Sequence, residues 1–327
     1  MIIAIDETGD FSPKSNKYHF FSAVHIANSE NKDDLICRRF YNWESSLPAS
    51  LKNHNGEIKS ARLNELQLCG FVDEVLIPEP KIRISSISFI PVENPWRIIN
   101  KHKFIPQLGI NEGIFLFSKL NNSEMVKFIK DFSFWFRKLN YVGFIKLLLL
   151  GNIIYKSFRN TVGISIALAI EDELLDIKIK IDELFIKGNE PHLFWHEMLR
   201  NQIYNESKNN PLPFSTEWNE SEHPFVKKYT RNGIIDFNDL FSRNCSFAKS
   251  HQSFEIRIAD TVNTIISKYF NNNQYKSLYS KIKSLMIPQG QIDCIKFKDF
   301  NVDEMVGKSI YNPWLNLKDF AIRDSSK

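Results

Sequence analysis

The order of strand-like and helix-like segments predicts an α/β fold, with a mixed sheet flanked by helices. Short apolar runs that end in turn signals, the pattern of buried strands, occur at residues 1–6, 17–26, 81–91 and 177–182. The first two runs are predicted to form a hairpin around the turn from Thr8 to Asn16. Helical periodicity fills most of the intervening sequence, so strands and helices alternate after the leading hairpin.

Helices are predicted wherever apolar residues recur on one stripe. Asn31 to Ser46 is the first of these, and Ser60 is a plausible N-cap for a second helix that carries Leu63, Leu66, Phe71 and Val75. Further helices are predicted over residues 112–120, 123–139, 155–175, 192–206 and 253–270. These patterns indicate a single domain with its core at about 1–93 and 177–270, a helical insertion at about 94–176 and a C-terminal extension at 271–327.

Composition is ordinary for a globular protein that can bury a large core. The chain has 327 residues, of which 43% are hydrophobic and 24% charged, and a net charge of +4. This charge is compatible with a polyanionic partner, although it is below that of a dedicated nucleic-acid binder. The four cysteines form no C-x-x-C pair, which disfavours a zinc site or a disulfide framework and favours a reducing, cytoplasmic location.

No membrane association is predicted. The N-terminus lacks the pattern of a signal peptide. The most apolar segment, Tyr141 to Tyr155, is interrupted by Lys146 and is too short to span a bilayer. It is therefore interpreted as a buried helix or strand.

Four acidic residues occur at the ends of predicted elements. Asp6 ends the first strand, and Asp182 ends the strand at residues 177–182. If these strands are neighbours in one sheet, the two carboxylates meet at the same edge. Glu57 precedes a predicted helix, and Asp260 flanks the apolar face of another. On its own, Asp6 is equally well explained as a capping residue of the turn at Thr8.

Carboxylates that converge repel one another unless cations neutralise them. Two magnesium or manganese ions would do so, and such a pair can clamp the attacking and leaving oxygens of a phosphodiester. Magnesium prefers a few carboxylates together with water and phosphate oxygens, which suits an open acidic site.

Four short motifs in this order resemble the bacterial domain-of-unknown-function 3800 family. They are Asp6-Glu7-Thr8-Gly9, Glu57-Ile58-Lys59, the strand-terminal Asp182, and Arg257-Ile258-Ala259-Asp260. The chain has threonine, arginine and Lys249-Ser250-His251 where the family has serine, glutamine and often Asp-Ser-Lys. The family is considered RNase H-like and is predicted to be nucleolytic.

The resemblance implies an RNase H-like domain that binds two Mg²⁺ or Mn²⁺ ions. Its ligands would be Asp6, Glu57, Asp182 and Asp260, with Asp6 bridging the ions. Lys59 and His251 would contact phosphate or assist the leaving group. Glu7 and Asp10 are second-line candidates, as ligands through water or as turn formers.

The leading hypothesis is a metal-dependent nuclease that acts on RNA or DNA. The alternative is a non-catalytic RNase H-like module that binds nucleic acid or a protein partner, possibly in a defence or toxin system; the substituted residues near Asp260 favour it. Hydrolysis of a small phosphoester is a third possibility.

Other catalytic motifs receive little support. His192 and His196 are one helical turn apart, as zinc ligands can be, but the Glu of a zinc-protease helix is missing and no third ligand is evident. The sequence also lacks the glycine-rich phosphate loops and the G-x-S-x-G element of serine hydrolases.

Overall fold

A mixed sheet of seven strands forms the centre of the computed structural model. The structure describes residues 1–12, 15–27, 35–90, 95–168, 171–183, 192–209, 228–231, 234–235, 243–287, 291–297 and 321–324. Its strands are β1 (Ile2–Thr8), β2 (His19–Ile26), β3 (Arg83–Phe89), β4 (Lys178–Asp182), β5 (Thr230–Arg231), β6 (Ile234–Ile235), β7 (Cys245–Ala248), β8 (Asp293–Phe297) and β9 (Ala321–Asp324). β5 and β6 form a separate ribbon, and the others lie in the order β7-β4-β1-β2-β3-β8-β9.

The predicted hairpin is present, since β1 pairs with β2 in antiparallel orientation and β2 pairs with β3 in the same way. On the other side of β1, strands β4 and β7 run parallel to it. At the far end of the sheet, β8 is parallel to β3 and β9 is antiparallel to β8. The carboxyl ends of β1, β4 and β7 therefore share one edge of the sheet.

Helices cover both faces of the sheet. They are α1 (Leu35–Ser46), α2 (Glu65–Phe71), α3 (Pro95–Lys119), α4 (Ser123–Lys138), α5 (Tyr141–Leu168), α6 (His192–Asn209), α7 (Phe254–Asn272) and α8 (Lys276–Lys283). On one face, α1, α2, α7 and α8 pack against Ala4, Phe20 and Val24; on the other, α3 to α6 pack against Ile3 and Ile5. Because both faces are buried, the central strands are nearly continuous apolar runs.

The predicted insertion and extension both contribute to this three-layer core. Helix α5, within the predicted insertion, packs directly on β2 and β3. The predicted extension supplies α8, β8 and β9, and β8 pairs with β3. Both regions bury apolar side chains of the central sheet.

Helix α5 is longer than predicted because the apolar run from Tyr141 continues into it without a break. The stretch Tyr141–Gly163 is long and apolar enough to cross a membrane, but 89% of its most apolar window is buried inside the fold. This burial is that of a core helix.

The prediction of Ser60 as a helix N-cap is wrong. Ser60–Arg62 is an isolated 3-10 turn, and α2 begins five residues later with Asn64 as its N-cap. The Asn64 side chain accepts from the backbone of Gln67, whose side chain in turn accepts from the Asn64 backbone. Leu66 consequently points outward and is 81% exposed.

Candidate functional site

Two predicted site residues, Asp6 and Asp182, lie side by side at the carboxyl edge of the sheet. The parallel register places Ile5 opposite Ile181, so the next residue of each strand is an aspartate. Each aspartate is only 5% exposed. The expectation that the two strands are neighbours is therefore met.

A cavity of about 200 Å³ opens beside these two aspartates. A third predicted residue, Asp260, also lines it. The lining residues are Asp6, Glu7, Thr8, Gly9, Lys59, Asp182, Ser250 and Asp260.

Helix α7 carries Asp260 to this edge because it packs across β1. Two hydrogen bonds secure the position. The Asn263 Nδ2 donates to the backbone oxygen of Asp6 at 2.7 Å, and the backbone nitrogen of Ser60 donates to Asp260 Oδ2 at 3.4 Å. The cavity is thus assembled from segments more than 250 residues apart.

The aspartates place much negative charge in a small buried volume. Burial raises the pKa of Asp6 well above its usual range, and the charges of Asp260 and Asp182 raise it further. Burial also raises the pKa of Asp260, although a hydrogen bond from Ser60 and the charge of Lys59 partly oppose this. The cluster therefore favours either a bound proton or an added cation.

Glu57 is not among the residues that line the cavity. Its Oε1 accepts from Lys59 Nζ at 2.8 Å, and its Oε2 accepts from Asn53 Nδ2 at 3.2 Å. Burial would raise the pKa of Glu57, but hydrogen bonds from Lys59 and Ser250 outweigh it and hold that pKa below its ordinary value. Glu57 is therefore an ionised carboxylate that already has donors.

Lys59 is the cation of the cavity wall. Burial would lower its pKa, yet the hydrogen bond and charge of Glu57, and then the charges of Asp260 and Asp182, raise it above the ordinary value. Its side chain is 40% exposed, so the ammonium group is still accessible from solvent.

The glycine of the first motif has a steric role that the motif alone did not reveal. Gly9 has a φ of +118°, and a Cβ built there would overlap Nδ1 of His19. That nitrogen accepts a hydrogen bond from the backbone of Phe11 at 3.4 Å, and the two rings stack at 4.8 Å. His19 thus holds the turn that follows Asp6.

The two second-line acids differ in position. Glu7 lines the cavity and forms an ion pair with Lys146 of α5. Asp10 is 72% exposed and accepts a hydrogen bond from the Ser12 backbone at 3.0 Å, as a turn former does. In the sequence, Lys146 was only an interruption in an apolar run.

His251 is not among the residues that line the cavity. His251 is in the 3-10 turn Ser250–Gln252, where its side chain is exposed. The same turn directs Ser250 inward, where it lines the cavity and bonds to Glu57. Ser250 is therefore the site residue of this segment.

The arginine that replaces glutamine in the last motif faces away from the cavity. Arg257 is 7% exposed and pairs with Glu44 of α1, and its guanidinium lies 4.9 Å from the centre of the Phe40 ring. Its role is to join α7 to α1. The substitution therefore gives no support to loss of function at the site.

Of the rival histidine pair, only His196 has a side chain that the structure describes. The His196 ring packs edge-on against Phe247 at 5.4 Å between centres. Among the residues that the structure describes, no group of three or more His, Cys, Asp or Glu side chains is arranged at metal-binding distances. The three aspartates of the cavity are among these described residues, and they too are not arranged at metal-binding distances.

Comparisons with known proteins add no assignment. No protein-family model matches the sequence, and no curated protein or solved structure matches it. The function of the cavity is therefore inferred from its own residues.

Proposed function

We propose that this protein is a divalent-metal-dependent phosphodiester hydrolase that acts on RNA or DNA. The observation that carries this proposal is the convergence of three aspartates, from β1, β4 and α7, on one small cavity with a lysine in its wall. Buried carboxylates are costly unless a cation or donors balance them.

The chemistry of the donor set fits magnesium or manganese. All three aspartates offer hard oxygen donors, and burial, followed by the charges of Asp260 and Asp182, raises the pKa of Asp6. Asp6, Asp182 and Asp260 would hold the ions, with Glu57 adjacent. Bound ions would supply Lewis-acid activation of water and of the phosphoryl group.

The other residues of the cavity have supporting roles. Lys59 lines it, and because Glu57 holds the ammonium group at 2.8 Å, that group is placed to contact a phosphate oxygen. Thr8 and Gly9 line the cavity at the end of β1, and the ion pair with Lys146 fixes Glu7 there.

An RNase H-like fold is part of the proposal. The antiparallel strands β1, β2 and β3, together with the parallel strands β4 and β7 on the other side of β1, are compatible with such a sheet. The order of the acidic motifs along the chain, and the position of Asp6 and Asp182 on adjacent parallel strands, support the same interpretation.

A non-catalytic module that binds nucleic acid or protein is the second candidate. The observation that favours it is the state of Glu57, whose two oxygens already accept hydrogen bonds from Lys59 and Asn53. To ligate a metal, Glu57 would have to exchange one of these donors.

Cleavage assays test the leading proposal. Labelled RNA, labelled DNA and a panel of small phosphoesters are incubated with Mg²⁺ or Mn²⁺, and the wild type is compared with Asp6→Asn and Asp182→Asn. Each substitution is expected to lower the rate by about 100-fold or more. Asp10→Asn is the matched control: it lies in the same turn but outside the cavity, and should retain full activity.

The outcomes separate the candidates. Cleavage that survives both Asp6→Asn and Asp182→Asn would sink the assignment. Calorimetry with Mn²⁺ addresses the second candidate, since a protein that binds nucleic acid but no metal, even at millimolar concentration, is a binding module. Activity on small phosphoesters alone would restrict the substrate class.

A further inference from the structure

Helices α3 and α4 form an antiparallel hairpin whose end extends beyond the packed core. The stem is packed, with Ile110 and Phe136 in the main apolar cluster. The helices are joined at Asn121, which has a left-handed φ of 54°, and at Asn122, whose side chain caps α4 through the backbone of Met125. Between residues 111 and 131, all of which the structure describes, no side chain is buried. We call this segment the hairpin tip.

The hairpin tip exposes large apolar side chains. Their exposed fractions are 62% for Phe115, 54% for Leu116, 64% for Leu120, 37% for Met125 and 41% for Phe128. If a whole side chain of this size offers about 200 Å², the tip exposes on the order of 500 Å² of apolar surface. A total of this size is comparable with the largest apolar patch of a typical monomeric protein, and such patches are often functional.

The charge of the tip argues against a polyanionic occupant. Its three lysines at positions 119, 127 and 130 are balanced by acids at 112, 124 and 131, so the net charge is zero. Nucleic acids and anionic membranes attract surfaces with an excess of positive charge. In addition, Lys119 Nζ lies 4.3 Å from the centre of the Phe115 ring, on a ring face that would otherwise be open to a nucleobase.

A second copy of the chain fits this surface better. A neutral surface with interspersed charges can meet its own copy without net repulsion, and a two-fold pair of helical hairpins forms a four-helix arrangement. Two tips bring together roughly 1,000 Å² of apolar side chain, which is the lower limit for a specific interface before the polar rim is counted.

We propose that the protein forms a homodimer through the hairpin tip, with the same residues in contact on both copies. Phe115, Leu116, Leu120 and Phe128 would form the centre of the interface, with the lysines and acids at its rim. The inference does not depend on the proposed nuclease activity.

Light scattering combined with gel filtration tests this proposal on the full chain. The wild type is expected to have twice the mass of the 38.3 kDa chain. It should dissociate on dilution across the range of about 1 to 100 µM. In the double variant Leu116→Glu/Phe128→Glu, the dissociation constant of the dimer should rise about 30-fold or more, because the variant places charge at the centre of the interface.

Two controls make the result specific. Leu66→Glu introduces the same charge at a leucine of α2 that is 81% exposed, and should leave the dimer intact. Asp6→Asn should also remain dimeric, which separates this inference from the proposed function. Because the residues of the tip are exposed, circular dichroism should show the double variant folded; Leu116→Gln/Phe128→Gln is a milder second pair.

A wild type that is monomeric throughout this concentration range would overturn the proposal, whether or not the variants fold. A dimer that is equally stable in both tip variants would also overturn it. If Leu66→Glu dissociates the dimer as strongly as the tip variants do, the interface is not specific to the hairpin tip and the proposal is overturned.

Discussion

Replacement of Gly9 by alanine is expected to destabilise the fold and to deform the acidic turn. Gly9 combines two constraints: a φ of +118° and a backbone so close to His19 that a Cβ would overlap its Nδ1. The residue also lines the cavity, directly after the strand that carries Asp6.

The expected cost is the sum of these two effects. A left-handed backbone conformation costs a non-glycine residue about 1–2 kcal/mol. Overlap of an added Cβ with a closely packed neighbour costs about 1–3 kcal/mol. His19 is only 2% exposed and stacks on Phe11, so it cannot move away freely. The free energy of unfolding should therefore fall by about 2–5 kcal/mol.

Urea denaturation measures this loss, and Gly56→Ala is the matched control. Gly56 has a φ of +76°, but a Cβ there would meet no atom within 4 Å. Gly56→Ala should therefore lose only the backbone contribution of about 1–2 kcal/mol. If the overlap with His19 is the additional cost, removal of the His19 ring should relieve it. The double variant Gly9→Ala/His19→Ala should then be less destabilised, by about 1–3 kcal/mol, than the sum of the losses in the two single variants.

Two results would refute this reasoning. One is equal destabilisation by Gly9→Ala and Gly56→Ala, which would mean that the contact with His19 contributes nothing. The other is strict additivity with His19→Ala. In the cleavage assay, Gly9→Ala should lower activity while Gly56→Ala leaves it unchanged.

Three further predictions concern charge. Burial lowers the pKa of His25 from 6.5 to about 3, so the unfolded chain takes up a proton at this residue before the folded chain does as the pH falls. The contribution of the neutral His25 to the free energy of unfolding is therefore present above pH 6.5, and roughly 2 kcal/mol of it is lost between pH 8 and pH 5. Urea titrations should find this loss reduced in His25→Gln. Lys146→Met removes this cation from the Glu7 carboxylate, which is 16% exposed, and should lower the free energy of unfolding by on the order of 3 kcal/mol. As a control, Lys281→Met breaks an ion pair of an exposed lysine and should leave the melting temperature unchanged. Mn²⁺ at ten times its dissociation constant should stabilise the wild type by about 1.4 kcal/mol, and calorimetric melts of Asp6→Asn should show no such gain.

The class of fold was predictable because its signals are local. Apolar runs that end in turn residues marked β1, β2, β3 and β4, and helical periodicity marked α1, α4 and α7. The same local signals located Asp6 and Asp182 at strand ends. Parallel pairing then makes those two residues neighbours, since strands that run in the same direction end at the same edge.

The sequence was least informative where distant packing decided the outcome. Ser60 carries a plausible capping side chain, but its hydroxyl bonds to Thr264 and its backbone to Asp260, so the helix starts later. His251 and Ser250 are adjacent in sequence, and only the 3-10 turn before α7 determines which one enters the cavity. No strand was predicted in the C-terminal extension, because β8 and β9 are short strands at one end of the sheet that are stabilised by pairing.

The sequence by itself determined the alternation of strands and helices and the identity of the acids at their ends, because these depend on residues close together in the chain. Only the tertiary structure decided that Asp260 meets Asp6 and Asp182, that Lys59 binds Glu57, and that Lys146 and His19 support the acidic turn. Each of these contacts joins different elements of the fold. Burial and mutual repulsion, which perturb the carboxylates of the cavity, exist only after those elements have packed.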